Sequence, residues 1–122
     1  MAEAANYTVV VDSDITLPDN NDDIDHQYPT FSAPGLSTST SVSDRPFLLL
    51  KVNPHANDAA LEVTLNDKIV YTQTFDAGPI RSLNEVLTHG DLLAAGNTLI
   101  VANRGAGGFT VSDIAVGYKV NV

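Results

Sequence analysis

Apolar and polar residues alternate with a period of two along much of the chain. In ALEVTLN, residues 60–66, leucine or valine alternates with a polar residue, which is the pattern of a strand with one buried face. Asn66-Asp67 follows as a two-residue turn, and KIVYTQTF resumes as a β-rich run. The pattern therefore predicts a β-hairpin over residues 60–75.

The end of the chain carries a second pair of β-rich runs. NTLIVAN and FTVSDIAVGYKVNV are joined by RGAGG, whose three glycines accept the positive φ of a tight or bulged connection. We therefore predict that these two runs pair with each other. In the last run, apolar residues occupy odd positions as far as Val111 and even positions from Ile114. This phase shift at Ser112-Asp113 predicts a β-bulge.

Further elements can be placed on the same grounds. NYTVVVD near the start and STSTSV at 37–42 are strand candidates, and PFLLLKV at 46–52 is apolar on both faces. That run is either a central strand or a strand covered by something outside the monomer. In SLNEVLTHGDLLAAG, Ser82 and Glu85 match a helix capping box. The short length instead favours a strand followed by one helical turn at Asp91–Ala95, which we prefer.

Together these runs predict an all-β, antiparallel sandwich of about seven to nine strands. With 122 residues, the chain is expected to form one domain, residues 1–122. The long irregular segment is 18–35, which is acidic and bounded by prolines. Irregular segments of this length in a compact domain are usually functional or mobile.

The charge of the chain is strongly asymmetric. The net charge is −9, and the first 44 residues carry eight acidic and no basic side chains. Such an end repels phosphate backbones and anionic lipid surfaces, so we expect neither nucleic-acid binding nor membrane association. A cation is the natural partner for it.

The run DNNDDID, Asp19 to Asp25, is the candidate cation site. Carboxylate, amide and carbonyl oxygens are the ligands that Ca²⁺ prefers. Their spacing follows an EF-hand register at first, but Ile24 stands where glycine is needed and Thr30 where a bidentate glutamate is needed. An EF-hand is therefore excluded, whereas a calcium site with scattered ligands and a simple solvated loop both remain. The candidate ligands are Asp12, Asp14, Asp19, Asn21, Asp22, Asp23 and Asp25.

A second candidate site lies in the same segment. Tyr28 and Phe31 stand close to His26 and Gln27, and an aromatic ring beside polar side chains is what a bound sugar requires. The chain has no cysteine, GxSxG or HExxH, so we expect no catalysis. Its three histidines are far apart in sequence and are expected to be surface or hydrogen-bonding residues.

The N-terminus carries no signal for secretion that we recognise. It lacks a basic region followed by an apolar run. No apolar stretch approaches the roughly 20 residues of a membrane-spanning helix. We therefore expect a protein without membrane insertion that is cytoplasmic or exported by a route without a signal peptide.

The C-terminal half resembles the galactose-binding-like jelly roll of many carbohydrate-binding modules. The resemblance is carried by LEVTLN, by LLAAGNTL and by VSDIAVGY. It implies a jelly-roll β-sandwich that is usually non-catalytic, often holds a structural calcium near one edge and binds ligands through loops at one end.

Two functional hypotheses follow. The first is a non-catalytic recognition module that binds a glycan or similar polar ligand through loops including 18–35, with Ca²⁺ as the candidate cofactor. The second is a structural protein that self-assembles or decorates a larger particle, because the run 46–52 is apolar on both faces. The expected partners are a glycan or a protein surface, and a homo-oligomer is expected in either case.

Overall fold

The fold consists almost entirely of short strands. The computed structural model describes residues 3–121 of the chain. Nine strands lie in this range: β1 (Glu3–Val11), β2 (Ile15–Leu17), β3 (Asp25–Gln27), β4 (Phe47–Pro54), β5 (Ala59–Leu65), β6 (Lys68–Phe75), β7 (Arg81–Val86), β8 (Leu99–Asn103) and β9 (Phe109–Asn121). Within the same residues, one 3-10 turn at Val42–Asp44 is the only helical structure.

The strands form two antiparallel sheets packed as a sandwich. One sheet has the order β1-β9-β4-β7, with β2 also paired to β9, and the other has the order β3-β8-β5-β6. β1 and β2 pair with successive parts of β9, so they act as one interrupted strand. Counted in this way, eight strands lie in two sheets of four, which is the jelly-roll arrangement. The predicted all-β jelly-roll sandwich is confirmed.

The core lies between the inner faces of the two sheets. In β4, Leu48, Leu50 and Val52 are buried, whereas Lys51 is exposed. β4 runs between β9 and β7, so the central-strand interpretation of residues 46–52 is confirmed. Burying each such side chain stabilises the fold by about 1.5–3 kcal/mol. The inner faces of β5, β8 and β9 supply Leu61, Val63, Leu65, Leu99, Val101, Phe109, Val111, Ile114, Val116 and Tyr118.

The predicted hairpin over residues 60–75 is confirmed. β5 and β6 pair antiparallel, and Asn66 and Asp67 join them with φ of 51° and 66°. Positive φ at both central residues matches the right-handed twist of the two strands, and Asn and Asp tolerate it better than other side chains. The Asn66 side chain also accepts a hydrogen bond from the Thr98 backbone at 2.9 Å, which ties the turn to the segment before β8.

The predicted bulge is also confirmed. Leu49 pairs with Ala115 and Lys51 with Ser112, so β9 uses one more residue than β4 over this stretch. Asp113 lies in the bulge with φ of 54°. The extra residue moves the inward positions from odd to even numbers, which is why the sequence pattern changes phase there.

The predicted pairing of the last two runs is wrong. β8 pairs with β3 and β5, whereas β9 belongs to the other sheet, so RGAGG crosses between the sheets. Its glycines are needed for space: a Cβ on Gly105 would lie 2.1 Å from the Asp58 carbonyl oxygen, and one on Gly107 would lie 2.2 Å from that of Asn57. The buried Asn103 amide braces the crossing by donating to the Gly107 carbonyl at 2.8 Å.

The predicted strand at 37–42 is wrong as well. Its hydroxyls bond to nearby groups, an alternative to sheet pairing that serine offers readily. The Ser39 hydroxyl donates to Asp44 at 2.6 Å and accepts the Ser41 amide at 3.2 Å. The segment therefore bends into the 3-10 turn at Val42–Asp44.

In the ambiguous segment, the strand is confirmed as β7, but no helical turn forms at Asp91–Ala95. The buried Asn97 side chain organises the loop instead. Its amide donates to the carbonyls of Leu93 at 2.7 Å and Phe31 at 3.1 Å, and its oxygen accepts the Leu93 amide at 2.8 Å. These hydrogen bonds hold residues 91–97 in an irregular loop, and no helical turn forms there.

Candidate functional site

The acidic segment folds around its first carboxylate. Asp19 accepts hydrogen bonds from the backbone amides of Asn21 at 2.8 Å and Asp23 at 2.9 Å. Asp22 takes the left-handed conformation with φ of 64°, which Asp tolerates better than most residues. The sequence DNND is thus a local turn in which one oxygen of Asp19 is already engaged.

The predicted calcium ligands do not converge in the described residues. No group of three or more acidic or histidine side chains there is placed to hold a metal ion. Asp14 and Asp19 border one shallow cleft, while Asp22, Asp23 and Asp25 border another. Asp25 pairs with Arg104. In this conformation the segment does not present the six to eight oxygens of a calcium site, and calcium binding stays a prediction.

The predicted ligand cluster is divided between the surface and the core. Gln27 is exposed and His26 is half-buried, whereas Tyr28 is only 5% exposed and Phe31 packs against the core. The rings of His26 and Tyr28 meet edge to face with 4.6 Å between centroids. Among the described residues the buried Tyr28 hydroxyl has no hydrogen-bond partner. Burial raises the pKa of Tyr28 to about 12.

The other histidines are hydrogen-bonded near the surface, as the sequence predicts. A ring nitrogen of His55 lies 2.7 Å from the Thr110 hydroxyl, and one of His89 lies 2.9 Å from the Ser41 carbonyl. Neither belongs to a group of three or more side chains that could hold a metal ion in the described part of the chain.

A polar cleft of about 300 Å³ lies on the outer face of the four-stranded sheet. It includes Glu62 on β5, Thr72 and Thr74 on β6, and Arg104 just after β8. We call this surface, together with Asp25 on β3, the polar face. The strand alternation that sends Leu61 and Val63 inward places Glu62 outward, and Glu62 is paired directly with Thr72.

Arg104 is the centre of the polar face. Its guanidinium donates to Asp25 at 3.0 Å and to Glu62 at 3.3 Å. Its backbone amide donates to the Ala60 carbonyl at 2.8 Å, which fixes where the side chain begins. The planar guanidinium of Arg104 and the carboxylates of Asp25 and Glu62 are thus held side by side at the surface, where solvent can reach them.

Sequence reasoning missed this cluster for identifiable reasons. The predicted hairpin places Glu62 opposite the middle of β6, so the neighbouring positions of Glu62 and Thr72 can be predicted from the sequence. The sequence pattern predicts that Arg104 lies in a turn between two paired strands and that Asp25 is a metal ligand. Nothing in the sequence indicated that β3 and β8 are neighbours.

The outer face of the five-stranded sheet carries an apolar patch beside the exposed Lys51, Ser82 and Asn84. The patch consists of Tyr7 and Val9 on β1, Phe47 and Leu49 on β4, and Val86 on β7, all exposed or half-buried. We call this surface the apolar face. The Phe47 ring lies over Gly117 of β9 and meets the Tyr7 ring edge to face, with 5.8 Å between centroids. A side chain at position 117 would occupy the place of that ring.

No helix in residues 3–121 is long and apolar enough to cross a membrane.

Comparisons with known proteins establish the fold. No known protein family and no curated protein matches the sequence. Dimeric latent PorU from Porphyromonas gingivalis superposes with a TM-score of 0.73 at 11% identity over 99% of this chain, which spans 13% of that one.

Two further solved structures share the architecture. The CBM36-1 domain of a multidomain xylanase from the hindgut metagenome of Trinervitermes trinervoides matches with a TM-score of 0.55 at 10% identity, over 93% of this chain and 96% of that one. The VP2 subviral particle of infectious bursal disease virus matches with a TM-score of 0.54 at 10% identity, over 98% and 33%. At these identities the likeness concerns the fold, a β-sandwich that carbohydrate-binding modules also use.

Proposed function

We propose that the protein is a non-catalytic recognition module that binds a glycan on its polar face. The observation that carries the proposal is the position of Arg104 between Asp25 and Glu62 in an open cleft of about 300 Å³. Sugars present neighbouring hydroxyls, each able to donate and to accept. A guanidinium flanked by carboxylates offers the complementary donors and acceptors without rearrangement.

The remaining surface of the cleft suits the same ligand. Thr72, Gln73 and Thr74 on β6 and Ala60 on β5 also line the cleft. Hydroxyl and amide groups supply further hydrogen bonds, and the small apolar side chain can contact the carbon-bound hydrogens of a pyranose. The shared fold of a carbohydrate-binding module supports the proposal at the level of architecture.

The site differs from the one that the sequence predicts. A ligand on the polar face would use Asp25 and could reach Gln27 on β3, while Tyr28 stays in the core. The galactose-binding-like type of jelly roll and its structural calcium remain predictions from the sequence resemblance. The calcium is tested in the experiment below by measuring glycan binding with calcium and with chelator.

The test is calorimetric titration with a panel of neutral plant and bacterial oligosaccharides, using wild type, Arg104→Ala and a matched control. Lys51→Ala is the control, since Lys51 forms an ion pair of similar exposure on the other sheet. Arg104→Ala is expected to weaken binding about tenfold or more, because a charge-assisted hydrogen bond contributes roughly 1.5–3 kcal/mol. Lys51→Ala should leave binding unchanged.

Three results would overturn this proposal. Wild type could bind no oligosaccharide in calcium or in chelator. Arg104→Ala, shown to be folded by circular dichroism, could bind as tightly as wild type. Lys51→Ala could weaken binding as much as Arg104→Ala, which would place the ligand elsewhere.

A further inference from the structure

The polar face carries more negative than positive charge. Arg104 is paired with both Asp25 and Glu62, so two carboxylates and one guanidinium leave this group with one net negative charge. Asp25 also borders the neighbouring cleft together with Asp22 and Asp23. The surface proposed for the glycan therefore lies beside two further carboxylates.

Both basic side chains of this sheet are already engaged by carboxylates. Of the six basic residues in the chain, Lys68 on β6 and Arg104 directly after β8 lie at the four-stranded sheet. Lys68 donates to Asp91 at 2.8 Å. The others lie in the strands of the other sheet or just before them: Arg45, Lys51, Arg81 and Lys119. An anionic ligand on the polar face would therefore have to compete with a carboxylate for its cation.

The carboxylates of the polar face keep acceptors for a ligand. The Arg104 guanidinium donates to Oδ1 of Asp25 and to Oε1 of Glu62. A carboxylate has two oxygens and about four lone-pair directions, and no hydrogen bond among the described residues engages the second oxygen of either group. The Asp25 and Glu62 side chains are 53% and 20% exposed. Both second oxygens are thus left for a donor from the ligand.

A protonated amine matches these acceptors better than a hydroxyl does. An ammonium group has three donors and no acceptor, and its positive charge complements the net negative charge of the polar face. Hydrogen bonds between ionised groups are roughly twice as strong as those between neutral groups. A carboxylate on a sugar would instead be repelled by Asp25 and Glu62.

We propose that the polar face selects glycans with free amines, the class of deacetylated hexosamine units, over neutral and acidic glycans. This inference rests on the proposed function, because it places the ligand in the same cleft. Asp25 and Glu62 accept hydrogen bonds from the ammonium group through their second oxygens. Arg104, held between them, donates to a neighbouring hydroxyl of the sugar.

The net charge of the chain requires a control for general attraction. At −9, the whole surface attracts amines to some degree. Asp113 provides the control, since it forms an ion pair with Lys51 at 3.0 Å on the other sheet and is 45% exposed, compared with 53% for Asp25. Asp25→Asn and Asp113→Asn remove the same charge from the chain, but only Asp25→Asn removes it from the proposed site.

Calorimetric titration with three oligosaccharides of equal length tests the selection. They are glucosamine, N-acetylglucosamine and galacturonic acid oligomers, measured in mildly acidic buffer in which the glucosamine amine is protonated. The first two share their linkage and differ only at the nitrogen. Wild type should bind the glucosamine oligomer about tenfold or more tightly than the N-acetylated one, because charge assistance strengthens each hydrogen bond. It should show no binding of the galacturonic acid oligomer.

Variants of the polar face locate the selection. Asp25→Asn should reduce the preference for the glucosamine oligomer, and the double variant Asp25→Asn/Glu62→Gln should abolish it, whereas Asp113→Asn should keep it. The double variant should also gain binding of the galacturonic acid oligomer, because Arg104 is then released to pair with a sugar carboxylate. A gain of binding also shows that the double variant is folded. Raised salt should weaken the binding of the glucosamine oligomer more than that of the N-acetylated one.

The outcomes separate this inference from the proposed function. Binding of neutral oligosaccharides that depends on Arg104, with no preference for the glucosamine oligomer, would overturn the selection and leave the glycan site in place. Absence of binding to every oligosaccharide would overturn both. Equal loss of the preference in Asp25→Asn and Asp113→Asn would overturn the selection, because the amine would then be attracted by the net charge of the chain and not by the polar face.

Discussion

The two outer faces of the sandwich are built by the same strand alternation and yet differ in chemistry. On the polar face, Arg104 lies between Asp25 and Glu62. On the apolar face, Phe47 lies over Gly117 and contacts Tyr7. The inner faces specify the fold, because they supply the shared core. The outer faces are free to differ, so evidence about function must be sought there.

The largest expected effect is that of Gly117→Val on the apolar face. Valine favours strands, but a Cβ at position 117 would lie 2.2 Å from the Phe47 ring. The ring must leave its place, and we expect a loss of about 3 kcal/mol in the free energy of unfolding. Urea denaturation monitored by circular dichroism measures it.

Ala115→Val is the matched control for this prediction. Ala115 stands two residues from Gly117 on the same outward row of β9 and is half-buried. Its variant should change stability by less than about 1 kcal/mol. In a Phe47→Ala background, the cost of Gly117→Val should fall to a similar level. An equal cost with and without the Phe47 ring would show that the clash is not its cause.

A smaller effect concerns Tyr28, which is buried in the core, and the dependence of stability on pH. Burial raises the pKa of Tyr28 to about 12, compared with an ordinary value of about 10 in the unfolded chain. The unfolded state therefore loses the Tyr28 proton first as pH rises. Stability is unaffected by this group below pH 10 and falls between about pH 10 and pH 12, by roughly 2 kcal/mol at the upper end.

Tyr28→Phe should remove that part of the alkaline loss and leave glycan binding unchanged. At neutral pH it should stabilise the fold slightly, because the buried hydroxyl has no partner among the described residues. Burial and Glu85 also raise the pKa of Tyr71, so some alkaline loss will remain in the variant. Thermal melts of both proteins from pH 8 to pH 12 give the difference. Identical alkaline slopes would contradict the burial of Tyr28.

The sequence predicts best where one local pattern determines one local structure. The hairpin at Asn66-Asp67 and the bulge at Asp113 each follow from side-chain alternation and from residues that tolerate positive φ. The predicted pairing across RGAGG is wrong because glycine serves two purposes. Its conformational freedom is visible in sequence, whereas its need for space at Gly105 and Gly107 depends on residues far away in the chain.

The candidate site was less predictable for the same reason. Arg104 meets Asp25 across 79 positions and Glu62 across 42. Only the sheet order, in which β8 separates β3 from β5, brings them together. Tyr28 is next to a short strand, and one residue of register decides whether its ring faces solvent or core. The charge pattern of the sequence predicts neither the sheet order nor the burial of the Tyr28 ring.

The smallest effect belongs to Asp113, the bulge residue that borders the apolar face. Two contributions can be separated there: a left-handed backbone with φ of 54° and an exposed ion pair with Lys51 at 3.0 Å. Asp113→Ala should cost about 1 kcal/mol, since alanine fits that conformation poorly. Asp113→Gly and Asp113→Asn should each stay within about 0.5 kcal/mol of wild type, because both accept it and an exposed pair contributes little. If asparagine proved as damaging as alanine in urea denaturation, the loss of the ion pair with Lys51, and not the backbone conformation, would be the cause.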